Sequence, residues 1–112
     1  MNKKIDKVNI LGTYYSIIYK SSDDEDIMFE TCDGYIDYSS KKIVIKLFEP
    51  REDSFENLEV MENTNLRHEI IHAFIYESGL NLNSEWARNE EMVDFFAHQF
   101  NKMKNIFSKL SI

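Results

Sequence analysis

Hydrophobic and polar positions change their rhythm once along this chain, near residue 54. Before that point β-favouring residues come in short runs separated by turn formers; after it apolar residues recur every three or four positions. Val8, Ile10, Tyr14, Ile17, Ile18 and Tyr19 make residues 7–20 extended, with Gly12 as a turn or bulge between two strand pieces. Ser21 to Asp26 is a polar, acidic break. It lacks the register and glycine of a calcium-binding loop, so it reads as a solvated connection. Asp33-Gly34 is a turn signal, Tyr35 to Tyr38 a short strand, and Ser39 to Lys42 the next turn. Ile43 to Phe48 is the clearest strand, stopped by Pro50. Together these predict a small, mostly antiparallel sheet of three or four strands. From about Ser54 to Ser78 neither Gly nor Pro interrupts a helical pattern, and Gly79 stands where a C-terminal cap belongs. Asn83 or Ser84 can cap a second helix opening with Glu85 and running to about Lys104. The predicted class is α+β, one domain over residues 1–112.

On a wheel of about 100° per residue with His68 at zero, Glu69 falls at about 100° and His72 at about 40°. Leu66, Ile70, Ile71, Ala73 and Phe74 occupy roughly 140° to 300° of the same wheel, a wide core-facing stripe. A polar His-Glu-His patch beside such a stripe points to a partly enclosed cleft. On the second wheel Glu90 and Asp94 lie about 40° apart, bordered by Trp86, Val93, Phe96, Ala97 and Phe100 at roughly 240° to 340°. Trp86, Phe95, Phe96 and Phe100 are expected in the core. Carboxylates beside an apolar stripe are costly unless a cation or strong donors satisfy them. The connection from Gly79 to Asn83 is short, so the two helices must pack as neighbours and Glu90 can approach the histidines.

The chemistry follows from this facing. His68-Glu69-Ile70-Ile71-His72 reads H-E-x-x-H, with both imidazoles on one helical face and a carboxylate beside the first. Two such rings can share a metal ion, and the adjacent glutamate can then address a water. A third ligand from the same helix is excluded: Ile75 and Ser78 stand where the glycine and third histidine of the extended motif belong. The second helix can then supply the missing ligand: of its two carboxylates, Glu90 and Asp94, one can take the metal and the other a ligand histidine's ring N–H. Glu91, about 100° from Glu90, is the weaker candidate.

Composition narrows the partners. Thirteen basic against 20 acidic residues leave a formal charge of −7, which argues against nucleic-acid binding through phosphates and against an anionic membrane surface. No apolar run approaches the ~20 residues of a membrane span, and residues 1–8 lack a signal-peptide core. Cys32 is the single cysteine, so no internal disulfide forms and a cytoplasmic location is expected. Its thiol could reach a metal, yet reads first as an ordinary small residue near a turn.

His68-Glu69-x-x-His72 followed by Asn89-Glu90-Glu91-Met92-Val93-Asp94 resembles the gluzincins. Asp94-Phe95-Phe96-Ala97 is similar to the second motif of the ImmA/IrrE-like peptidases, and residues 85–97 look like small phage and prophage H-E-x-x-H proteins. The resemblance covers roughly residues 34–100. It implies a minimal zincin-like fold, a sheet packed on the H-E-x-x-H helix and a second, Glu-bearing helix. It further implies Zn²⁺ on His68, His72 and Glu90, Glu69 as general base, and Asp94 orienting a histidine. Repressor-cleaving members often carry an added DNA-binding segment, for which 112 residues leave no room, so no substrate carries over.

The expected function is a zinc metalloendopeptidase acting on a protein or peptide substrate, with an activating partner left open. The alternative is a zinc-binding phage protein or adaptor with little turnover. A substrate peptide is expected along residues 43–48 as an added edge strand. His98 and Tyr76, each about 80° round its wheel from a site residue, are the nearest transition-state donors, and each reads first as a packing or surface residue.

Overall fold

The computed structural model describes residues 6–49 and 57–112. Four strands, β1 (Asp6–Ile10), β2 (Thr13–Ser21), β3 (Gly34–Asp37) and β4 (Lys42–Leu47), precede two helices, α1 (Leu58–Ser78) and α2 (Glu90–Lys109). The class is α+β, as expected. Leu11 and Gly12 both turn through positive φ, which closes β1 onto β2 as an antiparallel hairpin. Tyr38 to Lys41 likewise closes β3 onto β4.

The sheet order is β1-β2-β4-β3, mostly antiparallel as expected, and it corrects one expectation. The sheet is mixed, because β2 and β4 pair in parallel with Ile17 beside Ile43 and Tyr19 beside Ile45. The chain between them is long enough to carry β3 to the outer edge before returning as β4, and a parallel pairing needs such a crossover. β4 is consequently an interior strand, hydrogen-bonded on both sides, and cannot accept an added strand. The edges are β1 and β3. Its position explains the unbroken Ile43-Val44-Ile45 run, buried on both faces.

One face of the sheet carries Ile10, Tyr15, Ile17, Ile43 and Ile45, which close with Ala73 of α1 into the core; Leu66 and Ile70 pack around it. Lys46 turns to the other face, where its Nζ lies near the rings of Phe29 and Phe48. Asn57 caps α1 by accepting from the Val60 N–H, and Gly79 ends it in the left-handed conformation at φ 81°. The expected start near Ser54 and the Pro50 strand stop fall outside the described residues.

The second helix departs from expectation. Asn83 and Ser84 do not cap it; Leu80–Leu82 and Trp86–Arg88 are single 3-10 turns, and α2 starts at Glu90 with Asn89 Oδ1 accepting from Met92 N at 2.8 Å. It runs to Lys109, past the expected Lys104. Asn89 is extended (ψ 114°), so Trp86 is not on the α2 wheel at all. Trp86, Phe95 and Phe100 are 57, 55 and 51% exposed and not core residues as expected. α1 buries only Val93 and Ala97 of α2, so the apolar stripe continues outward uncovered. Among the described residues no helix is long and apolar enough to cross a membrane.

Candidate metal centre

His68 and His72 lie one helical turn apart in the middle of α1, where backbone hydrogen bonds hold both Cα positions. Their rings meet edge-on with centroids 4.7 Å apart. Arg67, one residue earlier, donates from Nε to the carbonyl oxygen of Ala97 at 2.7 Å, which pins α2 across this part of α1. That contact brings the first turn of α2 to the histidines. Being the first residue of α2, Glu90 places its carboxylate at the helix's positive end.

Four polar atoms then converge. His68 Nε2 is 2.9 Å from Glu90 Oε2, His72 Nε2 is 3.0 Å from Glu90 Oε1, and the two Nε2 atoms are 3.1 Å apart. His68 Nδ1 donates to Asp94 Oδ1 at 2.7 Å. This fixes the tautomer: with the proton on Nδ1, a neutral His68 turns a lone pair from Nε2 toward Glu90 and His72. A cation among the three groups would relieve the repulsion between this lone pair and the Glu90 oxygen. Tetrahedral Zn²⁺ with ligand bonds of about 2.0–2.1 Å spaces its donors about 3.3 Å apart. The observed separations are a few tenths shorter, and these three residues form a compact potential metal-holding group. Two imidazoles and one carboxylate are the donor types zinc takes in hydrolytic sites, so the residues fit the ion.

Glu69 points to the same space from the sheet side. Burial pushes its carboxyl up from the ordinary value, Glu90 adds to this, and the two histidines oppose it. Gly34, the first residue of edge strand β3, lies against it: a Cβ there would stand 3.6 Å from Glu69 Cγ, 3.3 Å from Val44 O and 3.0 Å from Ile45 Cδ1. Two openings flank His68. One, of about 450 Å³, lies between the first turns of α1 and His98; the other, of about 230 Å³, lies between Cys32–Gly34 and Glu69. Asn65 lines both, and its buried Nδ2 has no hydrogen-bond partner.

The expected site residues His68, Glu69, His72, Glu90 and Asp94 are thus brought together. The cleft is one-sided: the histidine side chains are 19 and 16% exposed, whereas Glu90 and Asp94 are 67 and 61% exposed. Glu91 is exposed and stands apart from the cluster. Cys32 adjoins the cleft, yet its thiol donates to Met28 O at 3.0 Å and burial pushes its pKa up. His98 Nδ1 donates to Asp94 O at 2.9 Å.

Sequence reasoning missed two residues. Asn65 lies three positions before His68, on the same helical face, so the wheel could have found it. Tyr38 could not have been found that way: it follows β3, and its ring stacks on Tyr76 with centroids 4.1 Å apart and planes 14° apart. Burial, then Glu69, Glu90 and Tyr76, push its phenol up to about 12.

No known protein family matches this chain, and no curated protein or solved structure does either.

Proposed function

We propose that this chain is a zinc-dependent peptidase of minimal zincin-like architecture, with His68, His72 and Glu90 as the ligands. The observation that carries this reading is the convergence of His68 Nε2, His72 Nε2 and the Glu90 carboxylate, with Asp94 Oδ1 2.7 Å from His68 Nδ1 behind them. Zinc, when bound, supplies Lewis acidity that acidifies water toward neutrality and polarises a carbonyl oxygen. Everything else falls to the chain's own groups. Glu69 accepts a proton from water at a carboxylate oxygen and delivers it to the departing amine; its raised pKa suits a group that must both take and give. Asp94 keeps His68 in the ligating tautomer. β3 is the edge strand whose first residue adjoins Glu69, so a peptide added along β3 passes the site.

The experiment keeps the ligands and removes the base. Glu69→Gln should retain one equivalent of zinc by metal analysis while hydrolysis of a casein substrate falls by at least about 100-fold. His72→Ala should lose the metal. A full equivalent of zinc on His72→Ala would show the ligand set to be wrong.

A second reading has its own observation. Trp86, Phe95 and Phe100 are exposed aromatic residues of the kind found at protein interfaces. A zinc-stabilised adaptor with little turnover uses them to bind a partner, and Glu69→Gln then leaves that binding intact.

A further inference from the structure

We propose that Tyr38 is a catalytic residue of this centre, its phenol O–H donating to the carbonyl oxygen of a peptide bond as that oxygen takes up negative charge. The inference rests on the peptidase reading above and adds the donor that this reading lacks. Tyr38 is the first residue after β3, the edge strand that starts against Glu69. Its ring is locked by the stack on Tyr76, which lies one helical turn beyond His72 on the same face of α1. The ring is therefore held between the end of β3 and the motif helix, against the residue one helical turn beyond His72. Among the described residues the hydroxyl makes no hydrogen bond, so none of them competes with a substrate for its proton. Burial first, then the charges of Glu69 and Glu90, push its pKa up.

The other donors considered are committed elsewhere or placed less well. His98 Nδ1 is spent on the Asp94 carbonyl. Tyr76 serves as the stacking platform, with Lys41 Nζ 4.8 Å from its ring centre.

The step balances without any further reactant. Water oxygen bonds to the carbonyl carbon as Glu69 takes the water proton. The carbonyl π pair moves onto oxygen, where the Tyr38 O–H donates to it. The C–N bond then breaks, the pair returns to restore the carbonyl, and Glu69 gives its proton to the departing nitrogen. Tyr38 keeps its own proton throughout.

The test uses the full chain loaded with zinc and two readouts. These are initial rates on succinylated casein and the affinity, by calorimetry, for N-phosphoryl-leucinamide, whose tetrahedral phosphoryl group imitates the addition geometry. Tyr38→Phe keeps the stack. It should lower kcat/KM roughly 100-fold and weaken the phosphoramidate by at least about tenfold, with zinc content and far-UV circular dichroism unchanged. Tyr76→Phe should change neither readout by more than about twofold. A Tyr38→Phe protein within about threefold of wild type on both readouts overturns the assignment. Loss of zinc from Tyr38→Phe also overturns it, because the hydroxyl would then be supporting the ligands and not the substrate. A wild type that holds zinc but neither cleaves casein nor binds the phosphoramidate overturns it too, and places the failure in the peptidase reading itself.

Discussion

Removing Asp94 tests how the centre is held. In the structure its carboxylate accepts from His68 Nδ1 at 2.7 Å and touches neither His72 nor Glu90. Its whole contribution therefore passes through one ring: it selects the tautomer, fixes the ring angle and raises the basicity of Nε2. Partners of this kind typically govern 10- to 100-fold of metal affinity. Asp94 is 61% exposed, so water screens the bond and competes for it. The low end applies, about tenfold or ~1.4 kcal/mol. Zinc titration against a chromophoric chelator near neutral pH, on Asp94→Ala and Asp94→Asn beside wild type, reads this directly. The amide introduced by Asp94→Asn retains an accepting oxygen, so that variant should fall between wild type and Asp94→Ala. Wild-type affinity in Asp94→Ala would refute the orienting role. A loss as complete as that in His72→Ala would make Asp94 a ligand in its own right and refute the three-residue set.

Two further predictions concern the frame of the site. Gly34→Ala brings a methyl group to 3.0 Å from Ile45 Cδ1, whose side chain is fully enclosed and cannot swing away. An overpacking cost of about 1–3 kcal/mol, less about 0.4–1 gained from a stiffer unfolded chain, leaves a net destabilisation near 1 kcal/mol in urea unfolding; a neutral or stabilised variant would refute the close approach of β3. Glu77 accepts from Thr13 Oγ1, Tyr15 Oη and Lys41 Nζ, and these bonds, Tyr15 first, lower its pKa. A carboxyl depressed on folding contributes stability that is fully present above its unfolded pKa and lost as pH falls through the folded value. The melting-temperature gap between wild type and Glu77→Gln should therefore be constant from about pH 6 to 7 and close below about pH 4; a gap that persists at pH 2.5 would show that the charge plays no part.

What was legible in the sequence was local. The H-E-x-x-H facing, the Gly79 stop and the shared face of Glu90 and Asp94 depend on residues within one or two turns, where helical geometry leaves no alternative. The strands themselves were legible for the same reason. Their partners were not, because a parallel β2–β4 pairing is decided across more than 20 positions, by where β3 finds its edge. The start of α2 failed for a different reason. Asn83, Ser84 and Asn89 are all good caps, and propensity cannot rank them; the choice fell on Asn89 where the chain turns extended after burying Ala87. Moving the cap took Trp86 off the helix face where it was expected to be buried. Tyr38 reaches the site only through that same sheet topology, so no periodicity along the chain could announce it.

The proposed metal site and the fold are not independent here. Val93 and Ala97 are the only fully buried side chains of α2, a small apolar contact for a 20-residue helix. The remaining attachments between α1 and α2 include Arg67 to the Ala97 carbonyl, His68 to Asp94, and the histidines to Glu90. Of these, the last would be strengthened by a positive charge among the atoms. A divalent ion bound there would therefore add to the hold of α2 on α1. The cluster proposed to hold the metal thus lies at the seam between the two helices, where apolar packing alone is thin. A helix held this way arrives with its carboxylate already aimed, and the geometry that would bind the ion would also help keep α2 in register with α1.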